Sequence, residues 1–310
     1  MASSSQHGLS FIVEATRGTT PATPTMTPVI NTSCSIQASK STYESEAIRT
    51  SRQIRDFRHG AISVGGDFGF ELAYGSHDAL LEACLCGAWN TNVLKAGTTR
   101  RYFTFERLFG DILTGGKPYH RFRGCELTGM SLTVQNGITG KPIVTGTFTV
   151  MGKDYALDTA IISGETYSAE TTTKAFDSFT GTINEGGIAS AIISEVSFTL
   201  SNGQEAQGVI GSKYSTTPII KKSRLTGSVT AQFDDATLLE KFLNETASSL
   251  DFTLTDAAGN DLTFDFPNIS YTGGEYPASG ENAVLLTLPF QAIYSTGDAS
   301  QIVVTRAPAA

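Results

Sequence analysis

Apolar and polar positions alternate with a period of two along most of this chain. Phe68, Phe70 and Leu72 alternate with Asp67, Gly69 and Glu71. Val196, Phe198 and Leu200 alternate with Ser197, Thr199 and Ser201, and Leu262, Phe264 and Phe266 with Thr263 and Asp265. Val144, Phe148 and Val150 point one way while Thr145, Thr147 and Thr149 point the other. This is the pattern of strands with one buried and one solvated face. The stretch 254–264 reads as a hairpin turning at 256–261. Two segments read as helices, 76–86 and 235–244, opened by Ser76 and Asp235 as capping residues. Their buried stripes are Leu80, Leu81, Cys84 and Leu85 in one, and Leu238, Leu239, Phe242 and Leu243 in the other.

These stripes have the same spacing and stand 158 positions apart, as do Glu82 and Glu240. A strand precedes each helix, at 61–72 and at 224–233. Upstream of each lies a further strand followed by a long polar excursion, and further strands follow each helix. The order predicts a tandem duplication of one unit: strand, long loop, strand, helix, strands. The expected organisation is an N-terminal arm (1–9), a first unit (10–163), a Thr/Ser-rich linker (164–179), a second unit (180–296) and a C-terminal tail (297–310), mobile over 305–310. Residues 1–30, with Pro21, Pro24 and Pro28, read as extended arm or loop rather than core.

Composition narrows the function. Glycine is 31 of 310 residues and charged residues are only 17%, which suits a turn-rich β protein. The 22 basic and 30 acidic side chains give a net charge of −8, so no basic footprint for gripping nucleic-acid phosphate is expected. No apolar run is long enough for a membrane span, and the first residues lack a secretory signal pattern. Four cysteines are too few for a disulfide framework.

Charge is concentrated in the first long loop, 42–59. Glu44, Glu46, Arg49, Arg52, Arg55, Asp56 and Arg58 are interleaved there with Ile48, Ile54 and Phe57. Mixed charge with spaced apolar anchors is the chemistry of a protein contact surface. The matching loop, 203–222, carries Lys213, Tyr214, Lys221 and Lys222. No convergent acid, base, nucleophile or metal set appears. Cys84 and Cys86 lie two apart on a helix and face different sides. His7, His59, His77 and His120 fall in no catalytic motif, and residues 256–261 lack the distal Glu of a calcium loop.

The run Tyr43-Glu-Ser-Glu-Ala-Ile-Arg-Thr-Ser-Arg-Gln-Ile-Arg-Asp56, then Arg58-His-Gly60, Gly65-Gly-Asp67 and the helix 80–86 resembles the tail tube protein of long-tailed (siphovirus-type) bacteriophages. So do Tyr119-His-Arg-Phe-Arg-Gly-Cys125 and Met130-Ser-Leu-Thr-Val134. The resemblance spans about 10–295. It implies a mainly β fold of two similar sandwich or part-barrel units, each flanked by one short helix and carrying a long inter-ring loop. It implies a structural, non-catalytic virion protein without cofactors, made in the bacterial host cytoplasm. Rings would stack into a tube through which genome DNA passes. Implied partners are further copies of the chain, a tape-measure protein inside the tube, and terminator and tip proteins at its ends. If each chain supplies two of six units, three chains close a ring; if one unit alone lines the lumen, six are needed and the other unit decorates the outside. A virion-surface carbohydrate-binding module is the competing reading, which would need an exposed aromatic platform. An acidic chain suggests a lumen lined with Asp and Glu that repels phosphate.

Overall fold

A computed structural model describes residues 3–113, 115–138, 140–190, 192–278, 281 and 283–309. The first half of the chain runs β1 (His7–Glu14), β2 (Thr25–Val29), β3 (Asn31–Cys34), β4 (Gln37–Glu44), β5 (Phe57–Glu71) and α1 (Asp78–Cys84). It continues with β6 (Val93–Lys95), β7 (Tyr102–Phe109), β8 (Tyr119–Gln135), β9 (Thr145–Gly152) and β10 (Asp154–Asp158), then β11 (Thr166–Tyr167) in the joining segment. The second half runs β12 (Thr182–Glu185), β13 (Ile188–Ala189), β14 (Ile193–Ser201), β15 (Arg224–Gln232), α2 (Thr237–Leu243), β16 (Ser248–Thr255), β17 (Asp261–Tyr271), β18 (Leu285–Ala292) and β19 (Val303–Ala307). The fold is mainly β with two short helices, as the alternation predicts.

The two halves are wired alike. In the first, β3 and β4 pair with β5, β5 with β9, β9 with β8, and β8 with β7 and β10. In the second, β14 pairs with β15, β15 with β18, β18 with β17, and β17 with β16 and β19. Every one of these pairs is antiparallel, and each helix follows the second strand of its set. The outer partner of β7 is β1, and that of β16 is β12. A related packing device occurs in each half, with glycine and phenylalanine exchanged between the corresponding strands. A Cβ on Gly146 would lie 2.5 Å from the ring of Phe70 across the β5–β9 pair, and one on Gly227 would lie 2.4 Å from the ring of Phe290 across the β15–β18 pair. In each half the absent side chain lets a cross-strand phenylalanine lie flat on the sheet.

Each half buries its own aromatic cluster. Phe70 stacks on Phe148 with ring centroids 4.4 Å apart, and Phe68 packs on Phe105 and Phe148. Phe252 stacks on Phe264 at 5.2 Å, beside Phe198, Phe266 and Phe290. The helices cover these clusters unequally. Helix α1 buries Leu80, Leu81 and Cys84, whereas α2 fully buries only Leu238 and leaves Leu243 65% exposed. Asp235 stands one residue before the N-cap position, which Ala236 holds, and its carboxylate accepts from the Thr237 amide at 2.8 Å, which holds its pKa low. Ser76 does not cap; its hydroxyl donates to Thr171, and α1 begins after a buried His77. Burial holds that imidazole down to about 4.

Both chain ends depart from the sequence reading. The Pro-rich start is not a loose arm: β1 pairs with β7 along its length and buries Leu9 and Phe11. The end is not a mobile tail either. Strand β19 pairs with β17 and with β6 of the first half. Arg306 then ion-pairs with Asp78 and lies 4.0 Å over the Trp89 ring. Long-range pairing overrode weak local signals at both ends. The segment 164–179 packs on the first half, with Phe176 buried and its backbone bonded to Leu72 and Val144.

Candidate assembly surfaces

The two halves meet edge to edge. Strand β14 pairs antiparallel with β8, from Glu195 opposite Gln135 to Ser201 opposite Gly129. This joint makes one continuous sheet in the order β3/β4, β5, β9, β8, β14, β15, β18, β17. Among the described residues no further strand lies beside 33–39 at one outer edge or beside 272–275 at the other. At one end, 33–39 pairs only with β5. At the other, the continuation of β17 through 272–275 bonds only toward β18, through Thr272 to Pro289 and Glu275 to Thr287. Tyr276, stacked on Phe233, is half exposed there. Unpaired edges are templates for another chain.

The first loop is a projecting hairpin. Strands β4 and β5 extend further than the sequence suggests, pairing Tyr43 with Arg58 and Glu44 with Phe57, so the free loop is 45–56. Ile48, Ile54 and Phe57 are exposed. Asp56 pairs with Arg58 at 2.9 Å. Glu46, Arg49, Arg52 and Arg55 make no side-chain hydrogen bond or ion pair among the described residues. The second loop behaves differently, because it already has a seat. The Ile62 amide of β5 donates to the Lys213 carbonyl, and the Arg17 guanidinium donates to the carbonyls of Ser215 and Thr216. Tyr214 is held by Ser212, and Lys221 pairs with Glu205 at 2.6 Å. Lys222 is exposed and makes no side-chain hydrogen bond or ion pair among the described residues. The predicted contact residues therefore divide. Those of 44–58 face solvent, and most of those in 203–222 stand on a loop laid over the first half.

That seat rests on buried charge the sequence reading missed. Glu126, almost fully buried, takes a bidentate bond from Arg100 at 2.7–3.0 Å and lies 3.6 Å from Arg17; Gln204 also donates to it. Burial pushes its carboxyl up against the opposing pull of the Arg100 bonds. Residues 17, 100, 126 and 204 have no common spacing, so only the folded chain brings them together. A second network joins β7, β8 and the start of the joining segment. Arg121 donates to Glu106 at 2.7 Å, to Asp158 at 2.7 Å and to Glu165 at 3.1 Å, while the Tyr167 hydroxyl donates to Glu106 at 2.6 Å.

Charge is divided sharply along the chain. Residues 1–179 hold 16 acidic and 16 basic side chains, and residues 180–310 hold 14 acidic and 6 basic. The whole net charge of −8 therefore lies in the second half. Among the described residues, no group of three or more His, Cys, Asp or Glu side chains could hold a metal ion, and no helix is long and apolar enough to cross a membrane. Cys84, Cys86 and Cys125 are buried thiols, Cys34 is half-buried, and all four are unbridged. Trp89 is partly buried against Arg306 rather than set in an open aromatic platform.

A family model described as phage tail tube protein matches residues 4–292. This chain belongs to that family. Comparison with curated proteins gives no match. The chain is thus a structural component of the phage tail, in a family that self-associates into a tube.

Proposed function

We propose that this chain builds the tail tube as stacked rings of three chains, each chain supplying two of six similar units, and that the tube conducts the genome at ejection. The observation that carries this reading is the joint between β8 and β14. It supports a pattern in which one unit meets the next edge to edge, with the two edges left open as counterparts of its two sides. Phe198 and Leu200 of β14 hold the places that Ile36 and Ala38 hold beside β5. Residues 273–276 extend β17 as Gly129–Leu132 extend β8. Repeating the joint between chains puts Gln37 of one chain opposite Glu275 of the next, as Thr199 stands opposite Ser131. Three such repeats close the ring without a free edge.

The hairpin at 45–56 fits the same scheme. The second loop rests on the first half of its own chain. The first loop then rests on the second half of a neighbouring chain, in the same ring or the adjacent one. That half carries the net −8, and Arg49, Arg52 and Arg55 arrive unpaired. Complementary charge of this kind sets partner choice and register. Tape-measure, terminator and tip proteins are the further partners this role requires.

A cysteine pair tests the pairing. Gln37→Cys with Glu275→Cys, assembled and then oxidised, is expected to give covalent trimers on a denaturing gel, because facing Cα atoms in antiparallel strands lie within disulfide reach. Each single variant is expected to give monomers. Covalent species that run on past three chains, or none in well-formed tubes, would contradict the closure.

A further inference from the structure

The second half closes the C-terminal end of α1. Just past the end of β14, the Asn202 amide donates to the Thr128 carbonyl of β8 at 2.8 Å. This sets the Asn202 side chain, 4% exposed, with its Nδ2 donating to the Cys84 carbonyl at 2.8 Å. Cys84 is the last residue of α1, so its carbonyl is one of those a helix leaves without an internal partner. Arg101 brings a cation to the same end, donating to the carbonyls of Glu82 and Gly87.

Helix α2 ends in the same way and has neither contact. Glu245 takes φ +53° where Cys86 takes φ +50°, and the Thr246 amide donates to the Lys241 carbonyl as the Gly87 amide donates to that of Glu82. The residue matching Cys84 at this end is therefore Leu243, whose carbonyl accepts no hydrogen bond among the described residues. Cys84 is buried, whereas Leu243 is exposed. Residues 244–247 lead straight into β16 and include no basic side chain. Lys241 in the last turn is turned away to Glu185 and Ser248. Glu240 and Glu245 stand exposed beside the open end. The strand rim that receives Asn202 is repeated here too. The Thr128 hydroxyl donates to the Thr149 carbonyl in the first half, and the Thr272 hydroxyl to the Pro289 carbonyl in the second.

We infer that the open end of α2 is a docking surface for a second copy of this chain, and that Lys40 of that copy closes it as Asn202 closes α1 within the chain. This rests on the ring reading above. Lys40 follows Ile36 and Ala38 along its strand as Asn202 follows Phe198 and Leu200, so both stand on the inward side. Lys40 is exposed and makes no side-chain hydrogen bond or ion pair among the described residues. The difference in residue type suits the difference in setting. Asn202 is buried at a helix end that Arg101 already serves, and a further unpaired charge there would be costly. Lys40 meets a solvated helix end flanked by two carboxylates, where the helix dipole and the carboxylates both favour a cation. Its apolar stem covers the exposed Leu243 side chain, as lysine stems do on apolar surface.

Charge reversal tests the contact. Lys40→Glu sets a third carboxylate against Glu240 and Glu245, and is expected to raise the critical concentration for tube growth at least about tenfold. The denaturant midpoint of the dispersed chain is expected to stay unchanged. Adding Glu240→Lys and Glu245→Lys is expected to bring the critical concentration back to within about threefold of the parent chain, since the pairing is restored with its signs exchanged. Unchanged assembly of Lys40→Glu, or no recovery in the combined variant, would overturn the inference. A cross-link gives a readout independent of charge. Lys40→Cys with Asn244→Cys is made in a Cys34→Ala background, since the other cysteines are buried. Tubes of this variant treated with a short bifunctional thiol reagent are expected to give covalent trimers, and each single variant monomers. If this cross-link fails while Gln37→Cys with Glu275→Cys still gives trimers, the ring stands and the Lys40 contact is wrong. If both fail in well-formed tubes, the ring reading itself is overturned.

Discussion

Arg121→Ala is expected to cost about 3–5 kcal/mol of stability, the range for removing one partner of a buried ion network. The guanidinium is 5% exposed and serves three carboxylates, of which Glu106 and Glu165 are themselves buried. Without it, no cation among the described residues is hydrogen-bonded to either carboxylate; Glu106 keeps the Tyr167 hydroxyl and Glu165 keeps the Ile162 amide. Burial already holds the Glu165 carboxyl above the usual range, with opposing help from that amide and from Arg121. Losing the arginine raises it further. A carboxyl whose folded pKa lies above its unfolded value makes the native state take up protons, so stability falls as pH rises through that window. The deficit of Arg121→Ala against the parent chain is therefore expected to be larger at pH 8 than at pH 5 in denaturant titrations. A loss below 1 kcal/mol, or one equal at both pH values, would contradict the account of this network.

Reversing Arg52 and Arg55 to glutamate is expected to abolish tube growth while leaving the fold intact. Both side chains are exposed and make no hydrogen bond or ion pair among the described residues, so the stability change should stay within about 0.5 kcal/mol, as for surface sites without special features. In the assembly each reversal sets a carboxylate against the acidic second half of a neighbour, where like-charge contact costs several kcal/mol. At about tenfold per 1.4 kcal/mol, the critical concentration should rise at least about 100-fold. Sedimentation at graded concentration reads this directly. Unchanged rod formation would remove the hairpin from the inter-chain contact.

Much of the fold was legible in the sequence because its signals are local. Alternation marks β5, β14 and β17, and the matching stripes of α1 and α2 give away the repeat. The hairpin at 45–56 stands out because mixed charge interrupts a charge-poor chain. What was hidden depends on distance along the chain. Strand β1 has apolar residues at Leu9, Phe11, Ile12 and Val13, but a Pro- and Thr-rich stretch follows directly, and only the pairing with β7 shows that Leu9 and Phe11 belong to the core. Strand β19 is short and finds its partners in β17 and β6, the latter more than 200 positions away. The Arg17–Glu126–Arg100 cluster has no sequence spacing to announce it. The expectation of an acidic wall spread the charge evenly along the chain, whereas the −8 sits wholly in the second half.

Loop function also needed the structure. The two long loops occupy equivalent places between their strands, and sequence alone gave them one role. In the fold, 203–222 is fastened by Arg17 and Ile62, and 45–56 is left without a seat. That difference between equivalent loops is what a ring of three double units requires, since one boundary in each pair lies within the chain and the other between chains.

The most direct measurement is the number of chains per ring in electron micrographs of assembled tubes. The account predicts three chains per ring, with six similar lobes around the lumen and alternating strength in the contrast of successive lobes. Rings of six chains, with one half of each chain lining the lumen and the other outside it, would contradict it.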